Sequence, residues 1–383
     1  MIKNQTVKLH PNKTMQKRLD DLCDYRRYCW NLGLELWNDM YDESLIMNDK
    51  SLRPNSYEVR NELVRNKQDW QYALSSRCLQ LAVKDLDHAW SNFFKYYKNG
   101  WGKPQYRSKK DSHQSFKTDR AKLIGSCLRI DKPQGVKDWY NIPISGLKLK
   151  DADLKLVSIY RENNRYYAVL SFDVEIKIKC KTQRKTAVDL NVGHFNYTDG
   201  IINVLPKKLQ KLYQRINYYQ RLLARKRQAN GKFAYLSNNY AKTRAKLKRD
   251  YRKVARIQND IIHKFTTKLV GDYDTIVIED LDVKHMQMTH IASKGLQRSQ
   301  FGKFRQYLTY KCEWYDKKLI LADPYYPSTQ RCSNCGYVKH GDEKITLQGN
   351  QKHHTKHNEY VCYHCGMRMD RDQNAVQNLL ALA

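Results

Sequence analysis

Apolar and polar positions alternate over residues 4–10 (NQTVKLH), which predicts a short strand that Pro11 ends. From Thr14 to about Lys98 the period changes. Leu19, Leu22, Arg26, Trp30, Leu34 and Trp37 recur at three- and four-residue steps, and Leu79, Val83, Leu86, Trp90, Phe93 and Phe94 do the same further on, so this stretch reads as helices. Residues 99–110 (NGWGKPQYRSKK) form a cation-loaded Gly/Pro break. Short runs of period two then follow at 114–118, 127–131, 139–144, 154–160 and 165–175, separated by turn residues. They predict a small antiparallel barrel, with the helices inserted between its first strand and the remainder.

After Lys185 the texture changes again. KTAVDL reads as a buried strand, and YTDG followed by IINVL as a hairpin turning at Asp199-Gly200. Two long helical stretches, about 206–228 and 239–270, precede two more apolar strands, DTIVIEDL (274–281) and KLILAD (318–323). Strands alternating with helices predict an α/β layer. No internal repeat is present.

Charge changes the picture from fold to partner. The 383 residues carry 70 Lys and Arg against 39 Asp and Glu, a net +31, with 41% hydrophobic positions that are enough for a real core. A chain this basic repels itself and is expected to work with a polyanion bound, nucleic acid first of all. A membrane surface is the rival. However, no apolar run approaches the ~18–20 residues of a spanning helix, and no signal peptide opens the chain. A reduced, cytoplasmic setting is therefore expected for its ten cysteines.

Six of those, Cys23, Cys29, Cys78, Cys127, Cys180 and Cys312, have no regular spacing and read as ordinary thiols. The other four are paired. Cys332 and Cys335 sit in CSNCG, Cys362 and Cys365 in CYHCG, and 26 residues separate the pairs. Two intervening residues place both thiolates on one tight knuckle, with a glycine after it for the turn. Two knuckles supply four sulfurs for a closed, structural, tetrahedral Zn²⁺ site. His340, His353, His354, His357 and His364 lie nearby and are expected to be solvated or to face phosphate rather than to replace a cysteine.

Three carboxylates stand at element ends: Asp189 in TAVDLN, Glu279 in TIVIED, and Asp372 in MDRDQNAVQNLL just before an apolar-periodic helix. Singly, each has a plain alternative, a turn residue for Asp189 and a helix N-cap for Asp372. Together they match what two Mg²⁺ ions need, several carboxylates converging on the attacking and leaving oxygens of a phosphate. Hard cations want oxygen donors, so this centre is distinct from the sulfur site.

The order of these elements resembles the TnpB family, RNA-guided nucleases of insertion sequences related to the type V CRISPR effectors. The residues that carry the likeness are Asp189 in its "DL" strand, Glu279 in "IVIEDL.VK", then "PS..RCSNCG", "CYHCG" and "DRDQNA". "LHPNK", "AWSNFFK" (89–95) and "GKPQYRSKKDSHQSFKT" (102–118) extend it more loosely upstream. The resemblance implies a multidomain α+β protein with an RNase H-like (RuvC) nuclease domain over 185–323 and 367–383. A zinc ribbon that contacts target nucleic acid is expected at 324–366. An oligonucleotide-binding-like wedge barrel is expected from 1–13 and 112–184, with a helical recognition lobe, 14–111, inserted in it. It implies that Asp189, Glu279 and Asp372 are the catalytic, Mg²⁺-binding acids, with Asp370 the close competitor for the third. It also implies a guide RNA from the element's own end, double- and single-stranded DNA targets, and a monomer with one RNA. Asn191 stands where the family usually has glycine, and it is expected to tolerate a left-handed turn there.

Between Lys207 and Arg256 there are 17 Lys and Arg and a single acid, Asp250. Leu209, Leu212, Ile216, Tyr219 and Leu223 mark an apolar face. Lys211, Arg215, Arg221, Arg225, Lys226 and Arg227, with Arg252 and Arg256 beyond, fall largely elsewhere. Such a one-signed surface repels itself unless a phosphate backbone lies alongside, so these residues and the loop cations Lys103, Arg107, Lys109 and Lys110 are candidate nucleic-acid contacts. Two other readings remain: an RNA-guided binder that represses without cutting, and a protein-only, structure-selective nuclease on the same fold. The first would be expected to have lost acids, and the second leaves half the chain without a purpose.

Overall fold

The computed structural model describes residues 1–111, 113–132, 139–149, 152–162, 165–175, 181–282, 286, 293–346 and 348–383; Cys180 lies outside them. The chain divides into two compact units, residues 1–175 and 176–383.

In the first unit, strand β1 (Ile2–Leu9) is followed by four helices, α1 (Lys13–Ile46), α2 (Ser56–Arg65), the single turn α3 (Asp69–Tyr72) and α4 (Ser76–Tyr96). Asn12 caps α1, its side chain accepting from the Met15 amide at 2.8 Å. The predicted helical stripe is the buried one: Leu19, Leu22, Trp30, Leu34 and Trp37 of α1 lie in one core with Leu79, Val83, Leu86 and Trp90 of α4. Arg26 occupies the same stripe because its charge is met there by Asp85 at 2.5 Å, which also holds Lys117 at 2.6 Å. Cys23, Cys29 and Cys78 are buried thiols of this core, whereas Phe94 is half exposed.

Six strands follow: β2 (Gln114–Thr118), β3 (Lys122–Ile124), β4 (Cys127–Ile130), β5 (Tyr140–Ser145), β6 (Asp153–Glu162) and β7 (Arg165–Asp173). With β1 they make one antiparallel sheet in the order β2-β6-β7-β1-β5-β4-β3. The amino-terminal strand thus sits in the middle of a sheet made by residues more than a hundred positions later. Ile2 pairs with Asp173 and Leu9 with Tyr166, and the terminal ammonium reaches Asp173 at 2.8 Å. Only β3 has no counterpart among the period-two runs, because three residues are too few to show a period.

The second unit is built on a mixed sheet. Strands β8 (Lys185–Asn191), β9 (His194–Tyr197) and β10 (Gly200–Asn203) form an antiparallel meander. After the helical hairpin α5 (Lys207–Asn230) and α6 (Asn238–Asp272), β11 (Thr275–Glu279) returns parallel to β8. Beyond α7 (Ser293–Ser299) and α8 (Phe301–Trp314), β12 (Lys318–Ala322) is parallel to β11, which gives the order β10-β9-β8-β11-β12. The last segments are the two-stranded β13 (Glu359–Val361) and β14 (Arg368–Asp370), then α9 (Arg371–Leu380).

Both faces of the sheet are covered. Val188, Leu190, Ile276 and Ile278 pack on Ile262, Phe265 and Leu269 of α6 and on Phe304 and Leu308 of α8. Ala187, Val277 and Ala322 face Val376 and Leu379 of α9. Among the described residues, no helix is long and apolar enough to cross a membrane.

Two turn expectations are corrected. The β9–β10 turn is centred on Thr198-Asp199, and Gly200 already pairs with Tyr197 as the first residue of β10. Asn191 is not left-handed. It pairs with His194 at the end of β8, and the positive φ of that turn, +94°, falls on Gly193.

Candidate functional site

Strand periodicity brings the first two acids together. Side chains two apart share a face, so Asp189 lies on the same face as Ala187, and Glu279 on that of Val277. Ala187 and Val277 both pack on α9. Because β8 and β11 are parallel, with Val188 opposite Ile278, the two carboxylates emerge side by side at the same strand ends. The third comes from the first turn of α9, the helix on that face. There Asp370 is the cap, its carboxylate accepting from the amides of Asp372 and Gln373 at 3.0 and 3.1 Å. The cap is therefore not Asp372, whose charge bears on Asp189 instead.

Asp189 is 4% exposed. Burial first, then the neighbouring charges of Glu279 and Asp372, push its pKa up to about 8, against the pull of Asn191. Glu279 is also raised by burial and is opposed by Ser328. Each acid is held by a donor to which the sequence pattern assigned no such role. The Asn191 amide donates to Asp189 Oδ2 at 2.6 Å, and the Ser328 hydroxyl donates to Glu279 Oε1 at 2.7 Å. Asp372 Oδ2 stands 3.4 Å from His194 Nε2, and Oδ1 accepts from Arg371 at 3.2 Å. Buried like charges that share hard oxygen donors suit a divalent cation such as Mg²⁺.

The four cysteines converge as their spacing requires, their sulfurs all within 4.8 Å of one another. The two knuckles repeat one geometry. The amide of Cys332 donates to the Tyr337 carbonyl and that of Cys362 to Met367, both at 2.8 Å, while Gly336 and Gly366 take φ of +79° and +74°. Tetrahedral Zn–S bonds of ~2.3 Å put sulfurs about 3.8 Å apart; the Cys332–Cys365 and Cys335–Cys362 sulfurs are 3.7 and 3.6 Å apart. The cluster could hold a metal ion, and the donor set fits zinc. Among the described residues, these four form the one group of His, Cys, Asp or Glu whose ligand atoms lie close enough together to hold a metal ion. All five nearby histidines are exposed, His353 stacked on Tyr363 and His364 on Tyr337.

Of the candidate nucleic-acid contacts, the structure leaves some free and ties others down. In the helical hairpin, Leu209, Leu212 and Ile216 of α5 bury against Val254 of α6. Lys208, Lys211, Arg215, Lys253 and Arg256 line a cleft of about 490 Å³ beside that seam. Lys211, Arg221, Arg225 and Arg256 are exposed. Arg215 pairs with the fully buried Asp250 at 2.8 Å. Lys226 donates to the Asn239 carbonyl and the Thr243 hydroxyl, Arg227 to the Tyr240 hydroxyl, and Arg252 to the Lys248 carbonyl. In the first unit Lys103 and Lys110 are exposed, Lys109 pairs with Asp24 at 3.2 Å, and Arg107 lies 3.7 Å over the Trp30 ring. Burial lowers the Arg107 pKa to about 10.

A mixed sheet with acids at its parallel strand ends, a basic helical hairpin and a four-cysteine knuckle form an arrangement suited to processing nucleic acid. Two family models match adjoining parts of the chain: OrfB_IS605, described as "Probable transposase", over residues 171–289, and the Cas12f1-like TNB domain over 301–379. A "Putative RNA-guided DNA endonuclease" of Streptomyces pristinaespiralis is 27% identical over 80% of this chain and 71% of its own length. "Putative RNA-guided DNA endonuclease InsQ" of Escherichia coli K12 is 26% identical over 82% and 75%. "TnpB-like protein L79" of Acanthamoeba polyphaga mimivirus is 28% identical over 50% and 34%. These matches support the TnpB family, to which the order of the motifs points.

Proposed function

We propose that this chain is an RNA-guided DNA endonuclease that binds a guide RNA derived from its own transposable element, recognises a short flanking DNA motif and hydrolyses phosphodiester bonds in guide-paired DNA. The observation that carries the reading is the convergence of Asp189, Glu279 and Asp372 on one sheet face of a chain with net charge +31. The printed names of the Streptomyces and E. coli relatives support it.

In this reading the mixed sheet and its helices, 185–323 with 367–383, are a RuvC-like, RNase H-type nuclease domain. Residues 324–366 are a zinc ribbon for target nucleic acid, 1–13 with 112–184 a wedge barrel, and 14–111 a recognition lobe. Asp189, Glu279 and Asp372 would hold two Mg²⁺ ions, which would supply charge neutralisation at the attacked phosphate and a bound water of lowered pKa. Asn191 and Ser328 each hold one oxygen of their carboxylate, which fixes its rotation and leaves the other oxygen for ligation. Zn²⁺ on Cys332, Cys335, Cys362 and Cys365 is structural. Sequence is read by base pairing to the guide, while Lys211, Arg221, Arg225 and Arg256 follow a phosphate backbone.

The test is cleavage of a plasmid carrying the sequence complementary to the RNA that copurifies with the protein, as a monomer with one RNA. Asp189→Ala, Glu279→Ala and Asp372→Ala should each abolish cutting and leave guided binding nearly intact. Equal cleavage after the RNA has been digested away would refute the guided reading. Cutting by all three variants would refute the catalytic centre.

A further inference from the structure

Helix α9 carries two asparagines, Asn374 and Asn378, on its buried face, 0% and 3% exposed, where its periodicity calls for apolar residues. Their partners are all on one segment, the entry to the cysteine knuckle. Asn374 Oδ1 accepts from the Ser333 amide, next to Cys332, at 3.0 Å, and its Nδ2 donates to the Arg331 carbonyl at 2.7 Å. Asn378 Nδ2 donates to the carbonyls of Ser328 and Arg331 at 2.8 and 2.6 Å. The Tyr326 hydroxyl donates to the Asn378 carbonyl at 3.0 Å, and Gln377 accepts from the Ser333 hydroxyl at 2.8 Å. The same segment reaches the acids from the other side, through the Ser328 hydroxyl on Glu279.

These bonds close a loop. Asp372 belongs to α9, α9 is latched to residues 328–333, and residue 328 holds Glu279. Buried amides satisfied only in one arrangement specify that arrangement, since a shift would leave the Ser328 and Arg331 carbonyls and the Ser333 amide without these partners. Apolar residues at 374 and 378 would pack the helix as well, but they would not fix its register along the segment.

We propose that Asn374, Asn378 and Ser328 are positioning residues that set Asp372 and Glu279 in register with Asp189, so that the cysteine knuckle is mechanically part of the carboxylate centre. The inference rests on the nuclease reading above and adds to it the way the acids are held. Its consequence is an altered demand for divalent ions. Loosened carboxylates bind ions more weakly, and more ion restores the rate, whereas a missing carboxylate is not restored by any concentration.

The experiment measures guided cleavage rate and the Mg²⁺-induced shift in melting temperature against Mg²⁺ concentration for the parent, Asn378→Asp, Asn374→Asp, Ser328→Ala, Ser328→Thr and Asp372→Ala, alongside zinc content. The half-saturating Mg²⁺ is expected to rise about tenfold in the Asn variants and in Ser328→Ala, the scale on which groups behind metal ligands act. High Mg²⁺ should recover most of the rate, and Ser328→Thr, which keeps the hydroxyl, should return to the parent's curve. Asp372→Ala should stay inactive throughout. If an Asn variant loses zinc or its fold, the Ser328→Ala and Ser328→Thr pair decides, because it removes or keeps one hydroxyl only. Parental Mg²⁺ dependence in Ser328→Ala, or in folded Asn variants, overturns the proposal and leaves the nuclease reading standing. A parent that does not cut, with the acids intact and guide bound, overturns the nuclease reading itself.

Discussion

Asp189→Asn should make the Mg²⁺-free protein more stable while removing its nuclease activity. The acid is 4% exposed, and burial with the charges of Glu279 and Asp372 moves its pKa from 3.8 to about 8. Each pH unit of displacement is worth about 1.4 kcal/mol, which sets an upper limit of about 6 kcal/mol on the opposition to ionised Asp189. Much of that is shared with the two neighbouring acids and relaxes with them, so about 2–3 kcal/mol is expected from the substitution. In a unit of this size that is about 5–10 °C in melting temperature.

The sign with pH follows from proton counting. Between about pH 4 and 8 the folded protein binds the proton of Asp189 and the unfolded chain does not, so rising pH drains stability from the parent through that window. The asparagine variant has no such slope. The gap between the two should therefore be small near pH 4–5 and widest near pH 8. Differential scanning calorimetry in Mg²⁺-free buffer at both pH values measures it, and adding Mg²⁺ should stabilise the parent alone. A variant that melts below the parent at pH 8, or a gap of equal size at both pH values, would refute the argument.

Purified protein should contain one Zn²⁺ per chain by elemental analysis, and the Cys332→Ser/Cys362→Ser double variant should contain none. Asp370→Ala should lose about 1 kcal/mol of stability with the α9 cap yet still cut DNA, the reverse of Asp372→Ala; an inactive Asp370→Ala beside an active Asp372→Ala would exchange their roles. RNA affinity should fall linearly with salt on logarithmic axes. Replacing Lys211, Arg221 and Arg225 by alanine should reduce that slope by about 0.7–0.9 per contacted phosphate. Replacing Arg107 should lower the melting temperature more than the affinity, because its guanidinium packs on Trp30.

Much of the site was legible because it follows from periods. Asp189 and Glu279 each end an apolar run, and strand alternation puts both on the face of Ala187 and Val277. The cysteine spacing fixed both knuckles in the same way. The groups behind the acids were not legible, since Asn191, His194, Ser328 and Arg371 act through contacts that sequence distance does not encode. One signal was available: polar residues at 374 and 378, four apart on the apolar face of a short helix, require buried partners. In the fold, the central place of β1 could not be read from the strand itself. It depends on pairing with residues 166–173, and a single strand carries no mark of its partner. Which of Asp370 and Asp372 caps α9 needed the helix start to one-residue precision, which propensity does not give.

Charge was the most visible feature of the sequence and the one the structure divides most. A count of 17 cations against Asp250 treats them alike, yet the hairpin uses several for its own assembly. Arg215 neutralises the buried Asp250, and Lys226 and Arg227 tie α5 to the start of α6. Those groups have exchanged water for fixed partners and lost part of their reach toward a ligand. Lys211, Arg221, Arg225 and Arg256 are exposed and keep their hydration, so counterion release on binding a polyanion would be theirs to supply. The hairpin's cohesion therefore comes from its leucine seam and these tethers, while the remaining repulsion is what a bound polyanion would relieve.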